Sequence, residues 1–285
     1  MTRSWPRVFQ IGATLTGLLT LAFWTSPLWW QVDPLTRQAG AIFEVASAVH
    51  PLGCDAYGRD LLARLLAGGR LATIVGCGVA LIAVGGGAIL GVLAGWFGGW
   101  VDVVITRSAD VALAFPGLLL ALLVLFVSER PGIATVVLSL SLTSWAGHAR
   151  LVRGLVLHCR PREDILAAQL YGASPWVVLT RFVLPSIGGP VAVQATFAAA
   201  AAVLGEATLS FLGLGPQGVV SWGAMLTEGV TLFLSSPAAM LWTCAALLLW
   251  QAGLVLMADG LRDHLDPLHH GAPSRAALSR GSALR

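Results

Sequence analysis

The chain has 285 residues, of which 56% are hydrophobic and 11% charged, against about 25% charged in soluble domains. A soluble fold of this size must present much of its surface to water and cannot hide so much apolar area, so the composition excludes a water-soluble globule and places the chain in lipid. All 17 basic residues are Arg, which excludes a Walker A lysine and a Schiff-base lysine, and a net charge of +3 spread over loops leaves no footprint for nucleic acid. Cys54, Cys77, Cys159 and Cys244 lack C-x-x-C spacing and are expected as buried free thiols, with Cys77 and Cys244 inside apolar runs.

Six uncharged stretches are long enough to be spans. The first, Val8–Trp30, follows Arg3 and Arg7; it is too long for a signal-peptide core, no A-x-A site follows, and an uncleaved anchor is expected. The others are Leu71–Trp96, Val111–Ser128, Pro131–Gly147, Phe182–Gly205 (entered through Pro185 and Pro190) and a stretch within Gly229–Ala258. The expected fold is therefore all-α, a polytopic membrane helical bundle. Gly85-Gly86-Gly87, Gly91 and Gly95 in the second stretch and the run Ala198 to Ala202 in the fifth suit close helix packing in lipid. A pore-lining role is the alternative for them.

Arg asymmetry sets the expected orientation. With the N-terminus inside, the outer segments hold only Arg37, Arg59, Arg64, Arg70 and Arg130, and the other twelve Arg lie inside. Both termini are thus expected in the cytoplasm. Trp29, Trp30, Trp96 and Trp100 stand at span ends and suit interfacial anchoring. Arg107 and Asp110 are spaced for an ion pair on one helix face, while Arg150 and Arg153 suit lipid headgroups or a partner chain. Glu206, near the outer end of the fifth span, is a candidate intramembrane polar site; the plainer reading is a helix-end acid satisfied locally. His264, His269 and His270 have no accompanying thiolate, which argues against a metal site.

The densest Arg cluster lies in the cytoplasmic loop between the fourth and fifth spans. There Pro161 suits a first helical turn, and Glu163 and Asp164 suit its positive end. Leu166, Ala167 and Ala168 continue that helix, and Gly172 suits its C-terminal stop with a positive φ. After Ala173, Ser174-Pro175 reads as an N-cap followed by proline at the first position of a second helix. Leu184-Pro185 leads into the fifth span. The segment is expected to form a helix–turn–helix lying on the cytoplasmic face.

The spacing Ala167-Ala168, three residues, Gly172, nine residues, Phe182-x-Leu184-Pro185 resembles the EAA signature of ABC-importer permeases, with Leu166 where that family has its acidic residue. His50-Pro-Leu-Gly53-Cys-Asp55-Ala-Tyr-Gly58-Arg59-Asp60 resembles the segment before the second span in permeases for dipeptides, oligopeptides and nickel, with Cys54 where Thr is usual. Asp110, Phe115-Pro116 and Leu118 to Leu120, then Ser210 to Gly215 with Ser221-Trp222-Gly223, then Asp259 to Pro267 resemble later segments of the same subfamily, in order, over roughly residues 50–268.

The resemblance implies a type I ABC-importer permease fold and the second permease of a pair. It implies 71–268 as permease core with coupling loop 151–185; the first apolar stretch makes residues 1–70 an anchor span and outer segment, and Ser/Ala/Arg-rich composition without apolar periodicity makes 269–285 an expected disordered cytoplasmic tail. It also implies the partners: a homologous permease, two ATP-binding cassette subunits that use the ATP, and a periplasmic or extracellular solute-binding protein. Under it Glu163, Asp164, Leu166, Ala167, Ala168, Gly172, Ala173, Ser174, Leu184 and Pro185 belong to the ATPase-coupling loop, and the chain itself holds no catalytic site, cofactor or metal. Peptide is the first substrate choice, with nickel or another small solute as the alternative. An intramembrane enzyme lacks H-E-x-x-H and G-x-S-x-G. An ion-coupled secondary transporter would need buried midplane charge, for which only Glu206 is available.

Overall fold

The computed structural model describes residues 5–234 and 236–265. Asp266, Pro267, His269, His270 and the expected tail lie outside the described residues. The helices, in chain order, are α1 (Arg7–Trp29), α2 (Leu61–Phe97), α3 (Gly99–Ala114), α4 (Gly117–Val127), α5 (Ile133–Cys159), α6 (Glu163–Leu170), α7 (Pro175–Phe211), α8 (Trp222–Thr231) and α9 (Ala238–Leu265). Among the described residues the only strand-like feature is an isolated bridge between Cys54 and Asp60.

Four of these helices, α1, α2, α7 and α9, are long and apolar enough to cross a membrane, and α3 with α4 makes a fifth if the bent pair is one span. The third apolar stretch is not one straight helix. Its two halves meet at 83°: Pro116 disfavours a helical residue before it, and Phe115 is extended at φ −95°, ψ 139°. The fourth stretch lies within α5, a helix of 27 residues whose second half carries Arg150 and Arg153; it does not meet the same apolar standard. Length and composition therefore do not recover all six expected spans. The second span also starts earlier than its uncharged stretch, at Leu61, where Asp60 caps the helix by accepting from the Ala63 amide at 2.6 Å.

Small residues set the helix contacts. A Cβ added at Gly87 would stand 2.7 Å from the Trp145 carbonyl oxygen, and one at Gly95 would stand 2.8 Å from the Val156 Cβ, while Gly91 faces the Ala149 carbonyl. One glycine per turn thus lets α2 run parallel to α5 at backbone contact, as packing-driven association in lipid requires. On the other flank α1 runs antiparallel to α9, with Gly12, Gly253 and Gly260 at the crossing and Trp5 stacked on His264 at 4.1 Å. Both described chain ends therefore lie together at one end of the bundle. Ala198, Ala200 and Ala202 of α7 are buried, and Gln251 of α9 donates to the Ala200 carbonyl at 2.8 Å.

The two ends of the bundle are built differently. At one end α6 and the start of α7 form a hairpin over an apolar plug of Val92, Trp96, Val152, Val156, Ile165, Val178 and Val183. At the other, the segment before α2 and the short helix α8 form a collar around Phe23, Leu61, Leu65, Trp222 and Trp250. Of the span-end tryptophans, Trp29 and Trp100 are exposed as expected of anchors. Trp96 is buried in the plug, and Trp30 turns inward to donate to Asp60 at 3.1 Å.

Candidate functional site: the helical hairpin and the collar

The hairpin closes through backbone geometry. Helix α6 ends in a paired set of hydrogen bonds, from the Gly172 amide to the Gln169 carbonyl and from the Ala173 amide to the Ala168 carbonyl, each 3.0 Å, with Gly172 at φ 81°. This is the Schellman closure, which needs a residue that tolerates positive φ. Ser174 caps the second arm, its hydroxyl oxygen accepting from the Val177 amide at 3.4 Å, and Pro175 occupies the first turn.

That second arm continues without a break into the long apolar helix. Pro175–Phe211 is one continuous helix of 37 residues with a π turn at Leu179–Val183. Pro185 explains the π turn: it has no amide to offer the preceding turn, and its ring would collide with the carbonyl four residues back. The hairpin thus sits on the end of a rod that runs through the bundle to Ser210.

Sequence-predicted residues divide by face. Ile165 is fully buried against Val178 and Val183, while Ala167, Ala168 and Ala173 are half-buried. Ala168 and Ala173 pack on the hairpin's own plug, so their small size serves the fold of the hairpin itself. Glu163, Asp164, Leu166, Ser174, Leu184 and Pro185 are exposed. Asp164 is engaged by Arg162 at 2.8 Å, and Arg162 also donates to the Ser186 hydroxyl at 3.0 Å. Three residues missed in the sequence stand out most: Leu170, Tyr171 and Trp176 are 88%, 92% and 70% exposed. In the sequence they stand among other apolar residues, Ile165, Leu166, Val177 and Val178, and only the surface separates them.

Arg150 and Arg153 turn toward α3. Arg150 donates to Asp110 at 2.6 Å, and Arg153 makes a bidentate pair with Asp102, with the Nη2–Oδ2 distance 2.6 Å. These pairs tie α3 to α5 beside the hairpin. The spacing of Arg107 and Asp110 gives only a long contact of 3.8 Å.

Glu206, in α7, is buried at the collar end of the rod. Its Oε1 accepts from the Ser210 hydroxyl at 2.6 Å and the Ser221 hydroxyl at 2.8 Å. Ser221 in turn caps α8 by accepting from the Gly223 amide at 3.0 Å, and Trp222 donates to the Leu65 carbonyl at 3.0 Å. The Ser-Trp-Gly segment thus locks α8 onto α7 and α2, and the carboxylate is a centre of that lock.

A second buried charge cluster was not foreseen. Glu228 Oε2 accepts from Arg59 at 2.6 Å and from Arg64 at 2.7 Å. Asp55 accepts from Arg59 Nε at 2.7 Å and also from Arg64. Burial pushes the Asp55 carboxyl up. Amide hydrogen bonds from Arg59 and Tyr57, with the charges of Arg64 and Arg59, outweigh that and hold it below the usual carboxylate range. Two acids and two arginines neutralise one another across a contact between distant parts of the chain.

A membrane bundle with a helical hairpin seated on one long apolar helix agrees with the permease fold that the sequence resemblance implies. Residues 87–268 match the family described as the binding-protein-dependent transport system inner membrane component. The chain belongs to this family, that of the ABC-importer permeases its signature segments resemble. Among similar proteins are the glutathione transport system permease protein GsiD of Pectobacterium atrosepticum, 36% identical over 88% of this chain and 83% of that protein, and the dipeptide transport system permease protein DppC of Bacillus subtilis, 38% identical over 78% of this chain and 69% of that protein. The oligopeptide transport system permease protein OppC of Bacillus subtilis is 31% identical over 92% of this chain and 86% of that protein.

Proposed function

We propose that this chain is one of two permease subunits of an ATP-driven importer of short peptides. In this reading it works in the bacterial cytoplasmic membrane with both termini and the hairpin in the cytoplasm. Six crossings are made by α1, α2, the bent pair α3–α4, α5, α7 and α9. Residues 71–268 act as the permease core, with 151–185 as the coupling segment. The bulk of the substrate assignment comes from the relatives, whose names specify dipeptide, oligopeptide and glutathione transport.

The observation that carries the mechanism is the exposed apolar tip. Leu170, Tyr171 and Trp176 are held out by a closed turn at the end of a 37-residue rod. Large apolar groups displayed beside a rigid plug fit a groove on a partner chain. A partner ATPase that closes on ATP would push this tip, and the rod would carry the push through the bundle as a rigid-body movement. Nothing in this scheme breaks a bond in the substrate, so the chain needs no catalytic group, cofactor or metal for transport, and ATP is used by the two partner subunits. A solute-binding protein would deliver the substrate at the collar end.

The test replaces Leu170 and Tyr171 together by Asp. Neither residue is packed in the plug, so the permease should insert normally and remain paired with its homologous partner. The expected result is loss of the ATPase on co-purification and loss of peptide uptake. Normal ATPase retention together with normal uptake would overturn the coupling assignment.

A further inference from the structure

The collar carries a group of side chains that the coupling scheme does not involve. Glu44 and Cys54 are drawn together because the Cys54 amide donates to the Glu44 carbonyl at 2.9 Å, and the Phe43 amide donates to the Asp55 carbonyl at 3.2 Å. His50 is set between them by a tight loop, its carbonyl accepting from the Ser47 amide at 2.9 Å and from the Gly53 amide at 2.8 Å. The ligand atoms of Glu44, His50 and Cys54 all lie within 4.8 Å of one another.

The orientation of each group is fixed from behind. The Nδ1 of His50 bonds to Asp60 Oδ2 at 2.8 Å. Asp60 is itself held by the Trp30 indole at 3.1 Å and the Ala63 amide at 2.6 Å. With Nδ1 occupied, Nε2 is the ring nitrogen that faces Glu44 Oε2, at 3.9 Å, beyond hydrogen-bonding range. Glu44 Oε1 accepts from the Ser47 hydroxyl at 2.9 Å, which leaves Oε2 toward the histidine. A carboxylate on the far nitrogen of a histidine is the arrangement that orients metal-ligating imidazoles.

We propose that Glu44, His50 and Cys54 bind a borderline transition-metal dication, of which zinc is the closest fit, with Asp60 as the orienting carboxylate. One thiolate, one imidazole and one carboxylate match zinc and its neighbours and not magnesium or calcium, which take oxygen ligands. Tetrahedral ligands at about 2.0–2.3 Å stand roughly 3.3–3.8 Å apart, so the three groups close on an ion by side-chain shifts of about 1 Å. Cys54 and His50 are buried while Glu44 is partly open, which gives the ion an entry side and leaves the fourth position to water or another ligand. The thiol proton leaves to solvent as the metal–sulfur bond forms. The site would clamp the Glu44 segment to the loop that caps α2. It stands on collar geometry alone and is independent of the peptide-importer reading.

The experiment uses the full-length chain with its paired permease, purified without a histidine tag, stripped with chelator and titrated with zinc or cobalt alone. The expected result is about one zinc per chain, a cobalt spectrum with a thiolate charge-transfer band and tetrahedral visible absorption, and a metal-dependent rise in thermal stability. Cys54→Thr should abolish the band and the stabilisation, and Asp60→Asn should weaken zinc by about 10–100-fold. The companion variant Cys77→Ala/Cys159→Ala/Cys244→Ala, which keeps Cys54 as the sole cysteine, should retain the band, so the result does not hang on how well Cys54→Thr folds. Absence of tight zinc binding by the wild type, persistence of the band in Cys54→Thr, or its loss in the companion variant would each overturn the proposal.

Discussion

The collar and the hairpin solve the same problem, holding an irregular segment on the end of a helical bundle, with opposite materials. In the collar, Asp55, Arg59 and Arg64 are buried and meet Glu228 from α8. In the hairpin, Ile165, Val178 and Val183 are buried and the charged side chains Glu163 and Asp164 point outward. Charge paired within its own chain serves the fold. Apolar surface displayed on the hairpin, as at Leu170, Tyr171 and Trp176, is what the proposed docking on another chain would cover. The contrast also concerns tolerance: an ion cluster fails when one member is removed, whereas a plug capped by backbone hydrogen bonds loses stability gradually.

The largest effect is expected at Arg64. Replacing it by Met leaves two carboxylates, Asp55 and Glu228, facing only Arg59. Removing one partner of a buried pair costs about 3–5 kcal/mol, so Arg64→Met should sharply lower the melting temperature of the purified permease pair. The double variant Asp55→Asn/Arg64→Met removes charge of both signs and should recover part of the loss. If Arg64→Met melts like the wild type, the collar is not held by its charges and the contrast collapses. A smaller effect is expected at Gly172. Its φ is 81° and open space surrounds the position where a Cβ would stand, so the cost of Gly172→Val is backbone strain alone, about 1–3 kcal/mol. Amide exchange should speed up in residues 163–178 while the collar stays protected, and Gly172→Asn should be milder because Asn tolerates that conformation. Unchanged protection in Gly172→Val would mean that the turn does not govern the hairpin.

How much of this was legible follows from the range of the interactions. The hairpin was read almost residue by residue, because Gly172, Ser174 and Pro175 act on neighbours a few positions away. Asp110 and Arg107 show the limit of local rules: their spacing allowed a pair, yet Asp110 bonds Arg150 on another helix at 2.6 Å. The collar was legible only as a resemblance. Arg59 and Arg64 looked like loop charges, since their partner Glu228 lies 164 and more residues away, and nothing in a single sequence reports such pairings. The bend at Phe115-Pro116 was visible as an X-Pro step but was absorbed into one apolar stretch, where hydropathy outvoted backbone sterics. Exposed apolar residues were missed for a related reason: in a chain this hydrophobic, Tyr171 and Trp176 carry no contrast until the surface is known.

The smallest effect sharpens the comparison best, because one residue type plays one role at both ends. Ser174 caps the second arm of the hairpin and Ser221 caps α8 in the collar. Ser174 is exposed, its bond to the Val177 amide is long at 3.4 Å, and water can replace it. Pro175 already sets the first turn without needing that bond. Ser174→Ala should therefore cost about 0.5 kcal/mol, the low end for a lost N-cap. Ser221 is buried, accepts from the Gly223 amide at 3.0 Å and donates to Glu206 at 2.8 Å. Its removal strips a buried amide and a buried carboxylate together, so Ser221→Ala should reach about 2 kcal/mol, the upper end for a cap. Melting curves of the two variants side by side give the difference directly, and amide exchange locates it, with Ser174→Ala loosening only residues 174–178 and Ser221→Ala loosening α8 together with the end of α7. Equal costs would mean that burial does not separate the two ends, and that the collar is no more dependent on its polar bonds than the hairpin is.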